Sequence, residues 1–425
     1  MSSRRMRARR STDSPSVFYG WFVVAGIFVV LTVTAGLGFY NASVILTQSK
    51  EELDTSVSAV SGATAVFFGV SGMVGFLLSR MMERVDLRRF FYAGAVLGAG
   101  ALVGLRWVDS VLELYLFFVV FGVAFAAAGL VPSTTIVARW FDKRRSIALS
   151  VASTGLSFGG IAVTPATARF IEARSLAEAG PWLGLVWFLG IAPISAVLIR
   201  SWPSDKGLEP DGAPRPLKPL DVPGATFDEA RRTRFFLFVS ATYAMVFLAQ
   251  VGGIAQLFNL VSERIDSATA ATTLSVMALS SIFGRLAGGL LVSAVSTRSM
   301  TIALTAVQAV ALTLLARAEG STSIYLTAAL FGLSVGNLLM LQPLLLADTF
   351  GVKEYSRIYS FCQLFGTIGV AGGPFLIGAL RDLYDYEIAF YCAGFANLVA
   401  IACLFLAGPT WRARATWDPA ATTRT

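Results

Sequence analysis

The 425-residue sequence has no histidine, three cysteines and few charges, and each scarcity removes a class of function. Without imidazole there is no Ser-His-Asp relay and no imidazole proton carrier. Cys362, Cys392 and Cys403 fall within late apolar stretches. Spaced so, they offer neither a disulfide framework nor a metal site and read as small core residues. Charged residues make up 14% of the chain, against about 25% in soluble domains. Gly155-Leu156-Ser157-Phe158-Gly159 matches a hydrolase nucleophile elbow in form. It lies inside an apolar run rather than at a strand-to-helix turn, so an enzyme is not expected. Zinc, P-loop and dinucleotide fingerprints lack supporting context, and no metal or cofactor is expected.

What is present is apolar length. Hydrophobic residues form 55% of the chain, and twelve runs approach or exceed the ~20 residues that cross a bilayer as a helix. They are 18–46, 57–80, 90–106, 111–138, 147–168, 182–199, 235–262, 268–295, 299–316, 322–347, 357–380 and 388–408. Barrel strands would be shorter and would alternate. The fold class is therefore an all-α membrane protein with twelve transmembrane helices.

Basic residues thread the spans. With the N-terminus inside, 26 of the 34 Lys and Arg fall on the inner side. They begin with the arginine cluster Arg4–Arg10 and continue through Arg80, Arg84, Arg88 and Arg89 to the loop Arg139–Arg145. This bias sets orientation by the positive-inside rule, and it accounts for the net charge of +8 without any nucleic-acid partner. Both termini are expected in the cytoplasm and the chain in a cell membrane, its first span retained rather than cleaved as a signal. Pro203, Pro210, Pro214, Pro216, Pro219 and Pro223 mark a polar linker. The expected organisation is a cytoplasmic tail 1–17, a six-helix bundle 18–200, a cytoplasmic linker 201–234, a second six-helix bundle 235–408 and a cytoplasmic tail 409–425.

The halves repeat in part. Phe121-Gly122 leads to Pro132, Ala138, Phe141 and Ile147, as Phe331-Gly332 leads to Pro343, Ala347, Phe350 and Ile358. Duplicated bundles with a site at their pseudo-symmetric interface are a common transporter plan. Glycines four apart, such as Gly155 with Gly159 and Gly284 with Gly288, suit close helix packing. Pro132, Pro165, Pro343 and Pro374 permit kinks.

The loop after the second span carries Ser79, Glu83, Arg84, Asp86, Arg88 and Arg89. It resembles the signature loop of the major facilitator superfamily, with Glu83 for the usual aspartate and Asp86 for the usual glycine. That resemblance covers about residues 17–408 and implies two pseudo-symmetric six-helix bundles. The second departure questions the loop's tight turn. The acid and arginines are expected to form a cytoplasmic gate, with plain topology-setting charge as the alternative. The C-half counterpart, Gly289 to Arg298, lacks the acid and its arginine, so any latch is expected to be one-sided. Tyr19-Gly20-Trp21, the loop Arg139 to Ala148 and the segment Phe350 to Asp382 are similar to the monocarboxylate porter and oxalate/formate antiporter branch.

Arg285 is the one basic residue deep within a span, where lipid penalises it by about 2.5–3.5 kcal/mol or more. A cation held there should face a polar cavity and suits an anion. The branch resemblance implies that Arg285 anchors a substrate carboxylate, with Ser281, Gly288 and Gly289 on its face leaving room for a ligand. Tyr40, Asn41, Gln250, Gln256, Asn337 and Gln342 are the other candidate substrate contacts, and Asn259 lies nearby in the seventh span. The alternative is a structural arginine satisfied by helix carbonyls or by polar side chains such as Asn41 or Gln256. No second buried cation accompanies Arg285, which fits a monoanion better than a dianion. No Asp or Glu lies mid-span, so protons would need the substrate's own carboxyl or a residue at a helix end. The expected function is transport of a small organic anion, a monocarboxylate, by alternating access, with protons or a counter-anion as partners. The rivals are a carrier or exporter of a neutral or amphipathic compound with Arg285 structural, and a transporter-like membrane sensor.

Overall fold

A computed structural model describes residues 18–55, 57–212, 224–292 and 294–418. The N-terminal arginine cluster, Pro214, Pro216, Pro219 and Pro223 of the linker, Ser293 and residues 419–425 lie outside the described residues.

Twelve long apolar helices follow the twelve runs. In the first half they are α1 (Gly20–Glu52), α2 (Val57–Met82), α3 (Arg88–Trp107), α4 (Val111–Trp140), α5 (Arg145–Glu172) and α6 (Leu176–Val197). In the second they are α7 (Arg234–Arg264), α8 (Ser267–Leu291), α9 (Thr297–Arg317), α10 (Ser321–Phe350), α11 (Tyr355–Leu383) and α12 (Tyr386–Ala407). Polar side chains start many of them. Ser110, Ser175, Thr233, Asp266, Ser296 and Asp385 each accept a backbone N–H three residues on, replacing a bond the first turn lacks. Gly351 and Gly408, at φ 72° and 80°, end α10 and α12 in backbone that other residues rarely adopt.

The helices turn apolar side chains outward as well as inward. Phe283 is 68% and Phe375 79% exposed, exposure that suits hydrocarbon rather than water. On α8 the outward face carries Leu279, Phe283, Leu286 and Leu290, while Ser281, Gly284, Arg285 and Gly288 are buried. Arg285 thus faces protein, not lipid.

The two halves meet chiefly along α5 against α8 and α2 against α11. Three helices are interrupted where they line this centre, α4 at Gly129 and two others by π turns. Ala35–Tyr40 in α1 and Gly159–Val163 in α5 are π turns packed on each other. A Cβ on Gly159 would lie 2.4 Å from the Thr32 carbonyl and 2.7 Å from the Gly36 nitrogen. The elbow-like sequence is therefore a packing seam within a helix. Among the prolines, Pro132 follows a break at Gly129 and Pro165 follows the π turn, whereas α10 and α11 continue through Pro343 and Pro374.

Candidate functional site

Arg285 is 1% exposed. It sits six residues beyond the middle of α8, about 9 Å along the axis at ~1.5 Å per residue, toward the end that carries the linker. This is further from the centre than the apolar run suggests, because α8 stops at Leu291 rather than Val295. Its Nε donates to the carbonyl of Gly336 on α10 at 2.8 Å, and Nη1 donates to the carbonyl of Ser153 on α5. Both acceptors are helix-interior carbonyls, and Ser153 belongs to the opposite half. Among the described residues no carboxylate pairs with Arg285; the ionisable group in its field is the Tyr40 hydroxyl.

The small residues around Arg285 are used by packing, which corrects the expectation of ligand room there. A Cβ on Gly288 would meet Asn337 Oδ1 at 1.6 Å, one on Gly289 would meet Ser150 Cβ at 2.4 Å, and one on Gly284 the Leu333 carbonyl at 2.8 Å. Ser150 Oγ also donates to the Arg285 carbonyl at 2.5 Å, and Ser157 and Ser281 share a hydrogen bond of 3.1 Å. Ser150, Ser153 and Ser157 thus form one face of α5 against α8. Their spacing of three and four is the signal in the sequence that could have found them.

Room for a ligand lies one layer away. A cavity of ≈ 150 Å³ opens between the halves, with Thr34, Tyr40, Ser71, Gln250, Gln363 and Thr367 as polar lining. Leu156, Val335 and Leu339, neighbours of the two acceptor positions, form part of its wall. The amide oxygens of Gln250 and Gln363 are buried there without partners, and no charged residue lines it. A hollow of ≈ 280 Å³ between α9 and α12 is apolar and lies away from this centre.

Of the seven candidate contacts, Tyr40 and Gln250 line the cavity. Asn41 accepts from Thr167 at 2.9 Å. Gln256 accepts from Asn259 at 3.3 Å and Tyr386 at 3.4 Å. Asn337 donates to the Leu333 carbonyl at 2.8 Å, and Gln342 donates to Cys362 Sγ at 3.3 Å. These four lie outside the cavity lining, engaged with their own half. Gln363 and Thr367 of α11 were not singled out from sequence, because an amphipathic helix offers several polar positions and no marker of which face the centre.

The loop charges divide into two groups. Glu83 accepts from Arg139 at 3.1 Å and, across the halves, from the Ser356 backbone N–H at 2.7 Å. Burial raises its carboxyl above the ordinary range, against the pull of Arg139 and Ser356. Arg139 also lies 3.9 Å from the centre of the Trp202 ring. Asp86 stays on its own side. Partial burial opposes its charge, but bonds from Arg88, Ser201 and the Arg88 backbone prevail and hold its pKa at about 2. Its φ is not positive, so the turn forms without the glycine. Arg84 and Arg89 are exposed.

The stitching is not one-sided as expected. Asp348 at the end of α10 reaches Arg145 of the first half at 3.6 Å and accepts from Thr297 at 2.6 Å. By the internal repeat Asp348 corresponds to Arg139, so each half contributes a carboxylate, from different elements. Thr135 and Ser356 add a cross-half bond of 3.2 Å. Among the described residues, such side-chain bonds between halves lie from Arg285 toward the linker end, save Ser157–Ser281 one turn further in.

The family model for the Major Facilitator Superfamily matches residues 28–294 and, again, 254–422. The chain is 25% identical to monocarboxylate transporter 3 of Rattus norvegicus, over 95% of this chain and 82% of that one. It is 24% identical to monocarboxylate transporter 7 of Homo sapiens, over 95% and 88%. In structure it is similar to FucP in the outward conformation, with TM-score 0.68 and 14% identity over 92% of this chain and 100% of that one. It also matches the human organic anion transporter MFSD10, with TM-score 0.68 and 11% identity over 91% and 98%.

Proposed function

This chain belongs to the Major Facilitator Superfamily, and from that premise we propose that it carries a small organic anion, a monocarboxylate, with Arg285 as the anchor. Membrane transport follows from the family, and the chain is a multi-pass transporter rather than an enzyme. The observation that carries the substrate class is a buried guanidinium with no carboxylate beside it among the described residues. A charge without a counter-charge is costly in a low-dielectric interior, and an arriving carboxylate cancels that cost. Relatives named monocarboxylate transporters support the same reading. Tyr40, Gln250 and Gln363 supply hydrogen bonds at the cavity wall. The linker end is cytoplasmic by the positive-inside rule and the membrane is the cell membrane; the cross-half bonds near the linker end support an outward-facing state. Transport proceeds by rocking of the bundles, which exchanges contacts at their two ends.

Proteoliposome uptake of labelled lactate, pyruvate and formate tests the anchor. Arg285→Ala should lose carboxylate uptake by roughly 30-fold or more, the scale of truncating one partner of a buried charge pair. Arg285→Lys should retain a fraction, since lysine keeps the charge but not the fork. Carboxylate uptake unimpaired in the alanine variant would falsify the anchor. One observation favours a second reading, a neutral or amphipathic cargo: the cavity wall is uncharged and Arg285 already has two acceptors. That reading gains if a neutral solute is carried equally by wild type and Arg285→Ala.

A further inference from the structure

Arg285 has two partners on different bodies. Gly336 lies in its own half, whereas Ser153 lies across the interface on α5. The Ser150 bond to the Arg285 carbonyl and the Ser157–Ser281 bond fasten the same pair of helices within two turns. Ser150 and Ser153 stand on the linker side of Leu156, which lines the cavity, and Ser157 is level with it. Opening the linker end requires α5 and α8 to part there, and parting removes one of two acceptors from a buried cation. An interior donor stripped of its acceptor, charged above all, is strongly penalised.

We propose that the Ser153 carbonyl holds Arg285 in the empty carrier as a stand-in for the substrate, so the unloaded protein resists opening at its linker end. The idea rests on the reading of Arg285 as the anchor. A carboxylate outcompetes a carbonyl for a guanidinium because both partners are charged. The displaced carbonyl keeps the hydrogen bond of its own helix, so release orphans nothing on α5. The loaded carrier then parts α5 from α8 with its cation still paired. Ser150, Ser153 and Ser157 are positioning residues, and their effect is to favour exchange of one substrate anion for another over net flux.

The test has two arms. In the first, nitroxide labels replace Arg144 and Val295, exposed positions at the linker end of each half. Cys392 and Cys403 are changed to serine, and Cys362 is buried. Without ligand, pulsed dipolar spectroscopy should give one short distance in the labelled parent. A longer population should appear in Arg285→Ala and in the Ser150→Ala/Ser157→Ala pair, where the fold is disturbed least. An unchanged distribution in both variants, or a ligand-free parent that already samples both distances, overturns the clasp. In the second arm, labelled lactate leaves proteoliposomes with or without lactate outside. Wild type should be accelerated by external lactate. The serine pair should raise efflux into lactate-free medium roughly threefold to tenfold, the scale of one or two interhelical hydrogen bonds. Equal wild-type efflux with and without external lactate also overturns the clasp. If wild type moves no carboxylate, the substrate reading fails while the distances still decide the clasp.

Discussion

At the residue scale Arg285 and its partners were unequally legible. A lone arginine within an apolar run is visible in any sequence, and its burial followed from the cost of lipid exposure. Its acceptors are main-chain oxygens of Ser153 and Gly336, which leave no side-chain signature. Asn41 and Gln256 were plausible alternatives because they carry side-chain oxygens, yet neither bonds Arg285. Asp86 offers a separate test. Its folded pKa of about 2 lies below the ordinary 3.8. Its bonds therefore add stability that is present above about pH 4 and fades as pH falls through about 2. With a third of the side chain exposed, screening limits the effect to about 1 kcal/mol. Asp86→Asn should lower the melting temperature in detergent at pH 7, and the gap to wild type should close as pH approaches 2. A gap that persists at pH 2 would show a loss of packing instead.

At the scale of elements, the twelve spans were legible because each must satisfy its own backbone in lipid, and continuous apolar length reports that directly. Interruptions were not. The π turns at Ala35–Tyr40 and Gly159–Val163 arise where glycines let α1 and α5 approach, and glycine four apart signals closeness without signalling register. Polar Thr47–Glu52 continues α1 well past its apolar run, since backbone near the membrane surface no longer needs apolar side chains. Gly159→Ala presses a methyl onto backbone atoms of α1 that cannot rotate away. It should destabilise the protein by about 1–3 kcal/mol, the usual range for overpacking. Thermal melting in detergent reads this directly. A wild-type melting temperature would mean that α1 and α5 separate more easily than their packing implies. Gly75→Ala, with nothing within 4 Å of the added carbon, should be near neutral.

At the scale of the whole molecule, the division into halves was readable from the proline-rich linker and the partial repeat. The second cross-half carboxylate was not. Asp348 lies just beyond the apolar run of α10, where an acid reads as a loop residue. The outward-facing proposal has its own check. A single cysteine in place of Gln250, in a cysteine-free background, should react with a membrane-impermeant maleimide from the side opposite the linker. Modification only from the linker side would reverse the assignment. The linker is fastened at both margins. The Asp211 carboxylate accepts the backbone N–H groups of Asp142, Lys143 and Arg144 on the first half, the shortest at 2.6 Å. On the second, Ala225 donates to the Phe350 carbonyl at 2.7 Å and Phe227 to Glu354 at 3.0 Å. Thirteen residue steps separate Asp211 from Gly224, a tether that reaches at most about 45 Å when fully drawn. On the proposed rocking cycle the two moorings need not slip, since the length of the tether itself bounds how far the linker end can gape.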